Sequence, residues 1–541
     1  MAIVLKRTRL PWRLLLLTAF LSRAGGPATA QEQDLRTLLS PDPLDTAVAN
    51  TIVARVGPAS VTAREFFFSY LFGPSFVKKR PESRRRHLDF MLHEKLLALG
   101  EEAKGKIQDP RVEQNLLAVE GDVATEELYR DDVLSRVSVT EQEIDSAVHR
   151  QNAEVTMRWL YARDAQDAGA WSQTLRQGGS FDSLFLMQFS DSTLQRDDRM
   201  MRTTLFGLMQ RNSVMSRIAE SLSVGTPSGP VKGVDGWYIL QVDSLWRNVI
   251  TTGSADADMR LSALRAVAQM KADSISDAYI RQMMLAADPV IQRRTFDILR
   301  AHLGERVLTP ETFTAWDLAG RLHAEQSSVE YTHMERQAED VLVTLRGGTI
   351  TLGQFLQWYR MRETTLKLRL TSAQAFFLSL EDLVWRMVRD ELLVERARNR
   401  RLQERPGVIT QVLWWKDKLL YQVAKDSLRR EIGWTDSTLQ AYYAAHPRSF
   451  QDSSGSVLPF GVVRDDVLRE WYALILSERV VRRLAELRHQ FQVTVDEDAL
   501  KRIPVDAENS PRAIDIVVAK KGGTFPRPAF PTIDPFWQTW Q

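Results

Sequence analysis

The sequence predicts a mainly α-helical protein with two related helical units in tandem and a small α+β domain inserted after the first. Three observations predict it. A stretch near residue 55 returns near residue 345, and apolar residues recur at three- and four-residue steps through long segments of both copies. Between the copies, residues 155 to 246 change to strand-like alternation broken by glycine turns.

The first thirty residues carry Lys6, Arg7, Arg9 and Arg13, then an apolar run from Leu14 to Leu21, then Gly25-Gly26-Pro27-Ala28-Thr29-Ala30 ahead of a polar stretch. That order predicts a secretory leader over 1–30, cut after Ala30, and an exported mature chain. No later window offers roughly twenty uncharged apolar residues, so no integral membrane span is expected once the leader is removed. The leader holds five basic residues and no acidic ones, so the formal charge of +2 falls to about −3 in the mature chain. A nucleic-acid partner is therefore not expected. With no cysteine in the chain, disulfides, thiolate nucleophiles and cysteine metal sites are excluded.

The first helical unit is read over 31–153. Val53 to Phe66 pairs with Val343 to Phe355, with Thr62 matching Thr351 and Phe66 matching Phe355 at an offset of 289. Each copy reads as a short strand, a glycine turn and a helix capped by Thr62 or Thr351. A long amphipathic helix follows around Leu88–Leu97, and again around Leu383–Leu393, each broken near a proline, Pro110 or Pro406. A further helix comes next, then a capping signal at Thr140 and again at Thr435.

Residues 154–248 form the α+β segment. Val155 to Tyr161 alternates like a strand, a helix runs from about Ala165 to Gln177, Gly178-Gly179-Ser180-Phe181 turns into another, and Gly236 to Val242 closes as a buried strand. A helical connector spans 249–338, the second helical unit 339–450, and a C-terminal helix with a proline- and aromatic-rich, non-helical tail spans 451–541.

Four stretches carry a family likeness: Arg158-Trp159-Leu160-Tyr161, Gly178-Gly179-Ser180-Phe181, Leu222-Ser223-Val224-Gly225 running on to Val231, and Gly236-Trp237-Tyr238-Ile239. With the leader and the Thr-capped helices before them, they make the chain resemble the SurA-type periplasmic chaperones and their parvulin-like peptidyl-prolyl isomerase domains. The resemblance implies a parvulin-like fold for 154–248, a periplasmic location and clients that are unfolded or extended polypeptides. Isomerase chemistry is implied only weakly. Trp159 and Tyr238 stand where the family carries histidines, and no Gly-Gly-x-Leu-Gly-Trp segment lies near Arg196 to Leu208. The pocket of such a domain would be lined by Met201, Phe206 and Met215 beside Trp159 and Tyr238.

No glycine-rich phosphate loop, nucleophile elbow or His-Glu-x-x-His motif is present, so neither nucleotide nor other cofactor is expected. The near pair His87 and His93, six residues apart, does not share a helix face at ligand spacing and reads as two solvated histidines rather than a metal site. Carboxylates interleave with arginines, as at Glu391, Glu395, Arg396, Arg398 and Arg400, in the manner of a salt-bridged exposed face.

Aromatic residues supply the sharper signal. Side chains fan by about 100° per residue along a helix, so Phe66, Phe67 and Phe68 cannot share one buried stripe and at least one must meet another element or a groove. Phe66, Phe67, Phe68, Trp358, Trp414 and Trp415 are the expected contacts for apolar client segments; packing between the repeat helices is the alternative use. The tail from Phe525 to Trp540 is read either as a strap closing the body or as a segment occupying the client groove. These readings together predict a periplasmic holding chaperone. The alternatives are an active parvulin-type isomerase and a structural subunit of an envelope complex.

Overall fold

The computed structural model describes residue 44 and residues 46–189, 195–233, 235–247, 253–320, 337–505 and 523–540. The expected leader and its cut after Ala30 lie outside the described residues. Among the described residues the chain divides into two compact units, one spanning 137–270 and the other 42–136 together with 271–540.

The first copy opens with a hairpin, β1 (Ile52–Val56) and β2 (Ala59–Thr62), turned at Gly57, whose φ of 51° suits a residue without a Cβ. Thr62 Oγ1 accepts from the Glu65 amide and starts α1 (Ala63–Leu71). The long helices α2 (Ser83–Glu102) and α3 (Pro110–Asp132) follow, the latter with proline at its first position, where the missing amide costs nothing.

The smaller unit begins with α4 (Glu141–Gln151), closed by a reciprocal capping box between Thr140 and Glu143. It continues through β3 (Ala153–Ala162), α5 (Ala165–Arg176), α6 (Phe181–Met187), β4 (Met200–Thr204), α7 (Leu205–Arg211), α8 (Ser213–Ser221), β5 (Val231–Lys232) and β6 (Trp237–Arg247). The sheet is antiparallel throughout, in the order β4-β3-β6-β5. One face packs Met157, Leu240 and Val242 beneath Leu205, Leu208 and Ala219; the other packs Leu160 and Ile239 beneath Phe181 and Phe185.

Helix α9 (Gly253–Ala287) runs from the smaller unit into the larger, and is followed by β7 (Val290–Ile291) and α10 (Arg293–Val307). The second copy then repeats the first. A hairpin of β8 (Val341–Leu345) and β9 (Gly348–Thr351) leads to α11 (Leu352–Arg360), capped by Thr351 on Gln354, and on to α12 (Ala373–Asn399) and α13 (Pro406–Arg430), again with proline first. Both hairpins carry the same register shift, between Ile52 and Ala54 and between Val341 and Val343. Next come α14 (Asp436–Ala445), α15 (Phe460–Gln490), β10 (Val493–Val495) and α16 (Glu497–Lys501).

Each hairpin gains a third strand from a segment outside its own copy. β10, which follows the C-terminal helix α15, pairs with β1 of the first copy through Ala54 and Val495. Likewise, β7 pairs with β8 of the second through Val290 and Thr344. The helices mix as well, α13 packing along α2 and α3 and α12 along α3. Apolar clusters join residues of both copies: Ala98 and Val112 with Leu420, Val119 and Val123 with Val408, Leu128 with Ala397 and Leu402. The tandem units of the sequence reading fall together in one compact unit.

Candidate functional site

The seam where α2 and α3 meet α13 is lined by charge as well as by apolar side chains. Lys95 lies 2.9 Å from Glu65 and 2.5 Å from Asp417; Lys418 pairs with Glu94 at 2.7 Å and Lys416 with Glu102 at 2.7 Å. Burial lowers the tendency of Lys95 to hold its proton, but the two facing carboxylates outweigh it and push the pKa up. Glu65 is pushed up in turn by burial, with Lys95 opposing.

Over this seam lies the chain's own C-terminal segment, residues 523–540. It runs without helix to Asp534 and then makes a single 3₁₀ stretch, Pro535–Trp540, where the sequence reading expected no helix at all. Gly523 approaches Asp122 so closely that an added Cβ would sit 2.5 Å from its Oδ1. The Phe525 amide donates to that oxygen at 3.1 Å and Arg527 Nε donates to Asp122 Oδ2 at 2.8 Å, while Arg527 also reaches Glu126 at 2.9 Å. Arg362 donates to the Thr524 carbonyl at 3.2 Å and lies between two rings, 4.6 Å from the centre of Trp358 and 5.4 Å from that of Phe525. Burial pushes the Arg362 pKa down to about 10 despite Asp390 beside it.

Farther along, the Phe530 ring stacks on Phe68 at 4.0 Å and on Phe72 at 5.5 Å. The Asp534 amide donates to Glu94 at 2.6 Å, and its carboxylate accepts from Lys425. Burial would raise that carboxyl, but Lys425 and the Phe536 amide hold it below the ordinary range. Trp537 is fully enclosed: its ring stacks on Phe90 at 5.3 Å and its Nε1–H donates to Glu94 at 2.9 Å. A cavity of about 40 Å³ remains under Phe530 and Pro531, so the segment does not fill its seat completely.

The six expected client contacts are placed unevenly. Phe66 and Phe67 are core residues, 0% and 3% exposed, and Trp358 and Trp414 are likewise buried. Phe66 and Phe67 pack in a cluster that includes Tyr421 and Ala424 of the second copy, Trp358 packs within the second copy's own core cluster, and Trp414 lines the cavity beneath Phe530. Phe68 and Trp415 are half-buried, and what they meet is the tail, Phe530 on the one and Arg527 on the other. The fan of three phenylalanines thus resolves as two in the core and one under the tail.

In the smaller unit, Trp159, Met201, Met215 and Tyr238 collect as half-buried side chains on one face of the sheet. Phe206 does not join them; it packs with Ile144, Ala147, Ala263 and Val267 instead. At the rim Tyr238 donates to Asp235 at 2.6 Å, and burial, aided by Asp235, pushes its pKa up to about 12. The segment 153–247 contains no histidine.

His87 also departs from expectation. It is fully buried, its Nε2 lies 3.0 Å from Ser69 Oγ, and burial pushes its pKa down to about 3, with Lys78 and Lys418 adding to the effect. Among the described residues, no group of three or more candidate ligands could hold a metal ion. No helix among them is long and apolar enough to cross a membrane.

Sequence reasoning missed Asp122, Glu94, Lys425 and Arg362. A signal was present, since Asp122 sits between Val119 and Val123, and Glu94 between Met91 and Leu97, at positions where helical periodicity demands apolar side chains.

No family model and no curated protein matches the chain. Among solved structures it is similar to the peptidyl-prolyl isomerase PrsA of Bacillus anthracis, 17% identical over 36% of this chain and 96% of that one, with a TM-score of 0.23. It is also similar to a SurA-like chaperone structure from Campylobacter jejuni (14% identity, 44% of this chain, 98% of that one, TM-score 0.20). A third is the foldase PrsA of Streptococcus pneumoniae (12% identity, 52% and 96%, TM-score 0.20).

Proposed function

We propose that this chain is a holding chaperone that acts outside the cytoplasm, binding unfolded or extended polypeptides such as secreted or outer-membrane proteins along the seam of the larger unit. One observation carries the reading: the chain's own tail, without helix from 523 to Asp534, lies there, and groove side chains bond its main chain. Arg362 holds the Thr524 carbonyl, Asp122 the Phe525 amide and Glu94 the Asp534 amide. Main-chain contacts of this kind serve any extended sequence, and the Phe68–Phe72 shelf and the Phe90 socket add apolar area without demanding a particular ring.

The charged floor favours a groove over a permanent core. A surface sealed for good is cheapest when apolar, because a buried charge costs several kcal/mol unless paired. Asp122, Lys425 and Arg362 would be hydrated at no such cost with the tail withdrawn. In this reading the tail guards the groove until a client displaces it, and release needs no nucleotide.

The test is suppression of aggregation of an unfolded β-barrel protein by the mature chain. Suppression is expected at a small molar excess, and at a lower concentration for Trp537→Ala, whose tail is held less well. No suppression by either protein at tenfold excess overturns the proposal.

A second reading, proline isomerisation on the smaller unit, draws on the half-buried face of Trp159, Met201, Met215 and Tyr238. It requires lowering a rotational barrier of about 18 to 20 kcal/mol, hence donors aimed at a twisted amide. A proline-peptide assay on the full chain, with Tyr238→Phe as control, checks it.

A further inference from the structure

We infer that the groove reads a pattern and a direction in the segment it takes: a cation, an aromatic ring three residues later, a carboxylate four beyond that, and an indole three further on. This deepens the holding function proposed above and rests on it. The pattern is the one the tail presents through Arg527, Phe530, Asp534 and Trp537.

Each point has a dedicated receptor. The carboxylate of Asp122 is fully buried, and among the described residues it accepts hydrogen bonds from the tail, at Thr524, Phe525 and Arg527. Glu126 adds a second carboxylate at 2.9 Å, making that end of the groove anionic. At the other end Lys425 makes its ion pair with Asp534, and Lys418 lies close enough to hold the same carboxyl down. Between them, Phe68 and Phe72 offer a flat shelf to Phe530. Beyond them, Phe90 and Tyr421 flank Trp537 while Glu94 accepts its indole N–H.

The physical consequence is polarity. A segment with its charges reversed would bring a carboxylate against Asp122 and Glu126 and an ammonium against Lys425, all desolvated. Like charges brought together out of water are far costlier than a missing contact. Main-chain bonds and apolar shelves explain how the groove holds many sequences; the two buried charges explain which one it holds best.

The experiment uses the full chain carrying Arg527→Glu and Asp534→Lys, which loosens the tail by reversing both charges. Two synthetic peptides covering 523–540 are offered to it, one with the natural sequence and one with the same two reversals, so net charge and apolar content are equal. The natural peptide is expected to bind about tenfold or more tightly than the reversed one, with the gap narrowing as salt rises. Equal affinity for both, in a protein that still captures an unfolded polypeptide, overturns the pattern and leaves the holding function standing. Failure to capture either peptide or any unfolded polypeptide counts instead against the holding function. Should the doubly reversed chain not fold, exchanging the second pair tests the same claim: Lys425→Asp with Asp534→Lys. Hydrogen exchange at the backbone amide of position 534, whose acceptor Glu94 is unchanged, is expected to be fast in the Asp534→Lys single variant and to regain its protection in the exchanged protein, and continued rapid exchange there overturns the pattern.

Discussion

His87 and Asp390 show how single buried groups tie this fold to pH, and they pull in opposite directions. The unfolded chain protonates His87 near pH 6.5, whereas the folded one resists to about 3. The unfolded state therefore binds more protons across that window, and stability falls as the pH drops through it, by on the order of 3 kcal/mol at pH 4. Burial pushes Asp390 up to about 6, against Arg389, Arg362 and the Trp358 indole, so the folded state holds the extra proton below that pH and its contribution grows as the pH falls. His93, pushed down to about 4 by burial and Arg488, sides with His87. Net loss of stability between pH 6.5 and 4 is expected. The substitution His87→Gln, which keeps a polar group toward Ser69, should flatten that loss in urea midpoints taken across the range. An unchanged slope would assign the loss to other groups.

At the scale of elements, the two copies solve the same local problems with the same devices. Thr62 and Thr351 each cap the helix after a hairpin, at 3.2 Å and 3.3 Å, and prolines open α3 and α13. Because the caps satisfy equivalent amides, Thr62→Ala and Thr351→Ala should each lower stability by about 1 kcal/mol. Urea unfolding of the two variants checks this, and a silent change at either site would break the equivalence. These devices were legible because each acts within four residues. The burial of His87 was not, since the same helical periodicity fits a solvated or an enclosed face, and only neighbouring elements choose between them.

At the scale of the molecule, the added strand and the shared helix packing make the first copy incomplete without the rest of the larger unit. Residues 44–136 alone would leave β1 without β10, and would expose the apolar flanks of α2 and α3 that Leu420, Val408 and Ala397 cover. Each such leucine or valine is worth about 2 kcal/mol when buried, comparable with the whole net stability of a small domain once several are lost. That fragment is expected to lack a cooperative unfolding transition by circular dichroism, and to gain one when mixed with residues 271–541. A fragment that melts cooperatively by itself would refute that dependence.

What the sequence determined unaided is what short-range chemistry specifies: the repeat with its offset of 289, the capped helices, and the alternating segment that becomes the four-stranded sheet. Its argument that three successive phenylalanines could not share one stripe was sound, but it could not say which ring would be left over. The tertiary structure alone decided that Phe68 meets Phe530, that Arg527 finds Asp122, and that Trp537 bonds Glu94 across 443 residues of chain. Contacts so distant in sequence leave no periodic trace, because they depend on which faces the helices turn to one another once the copies have packed together.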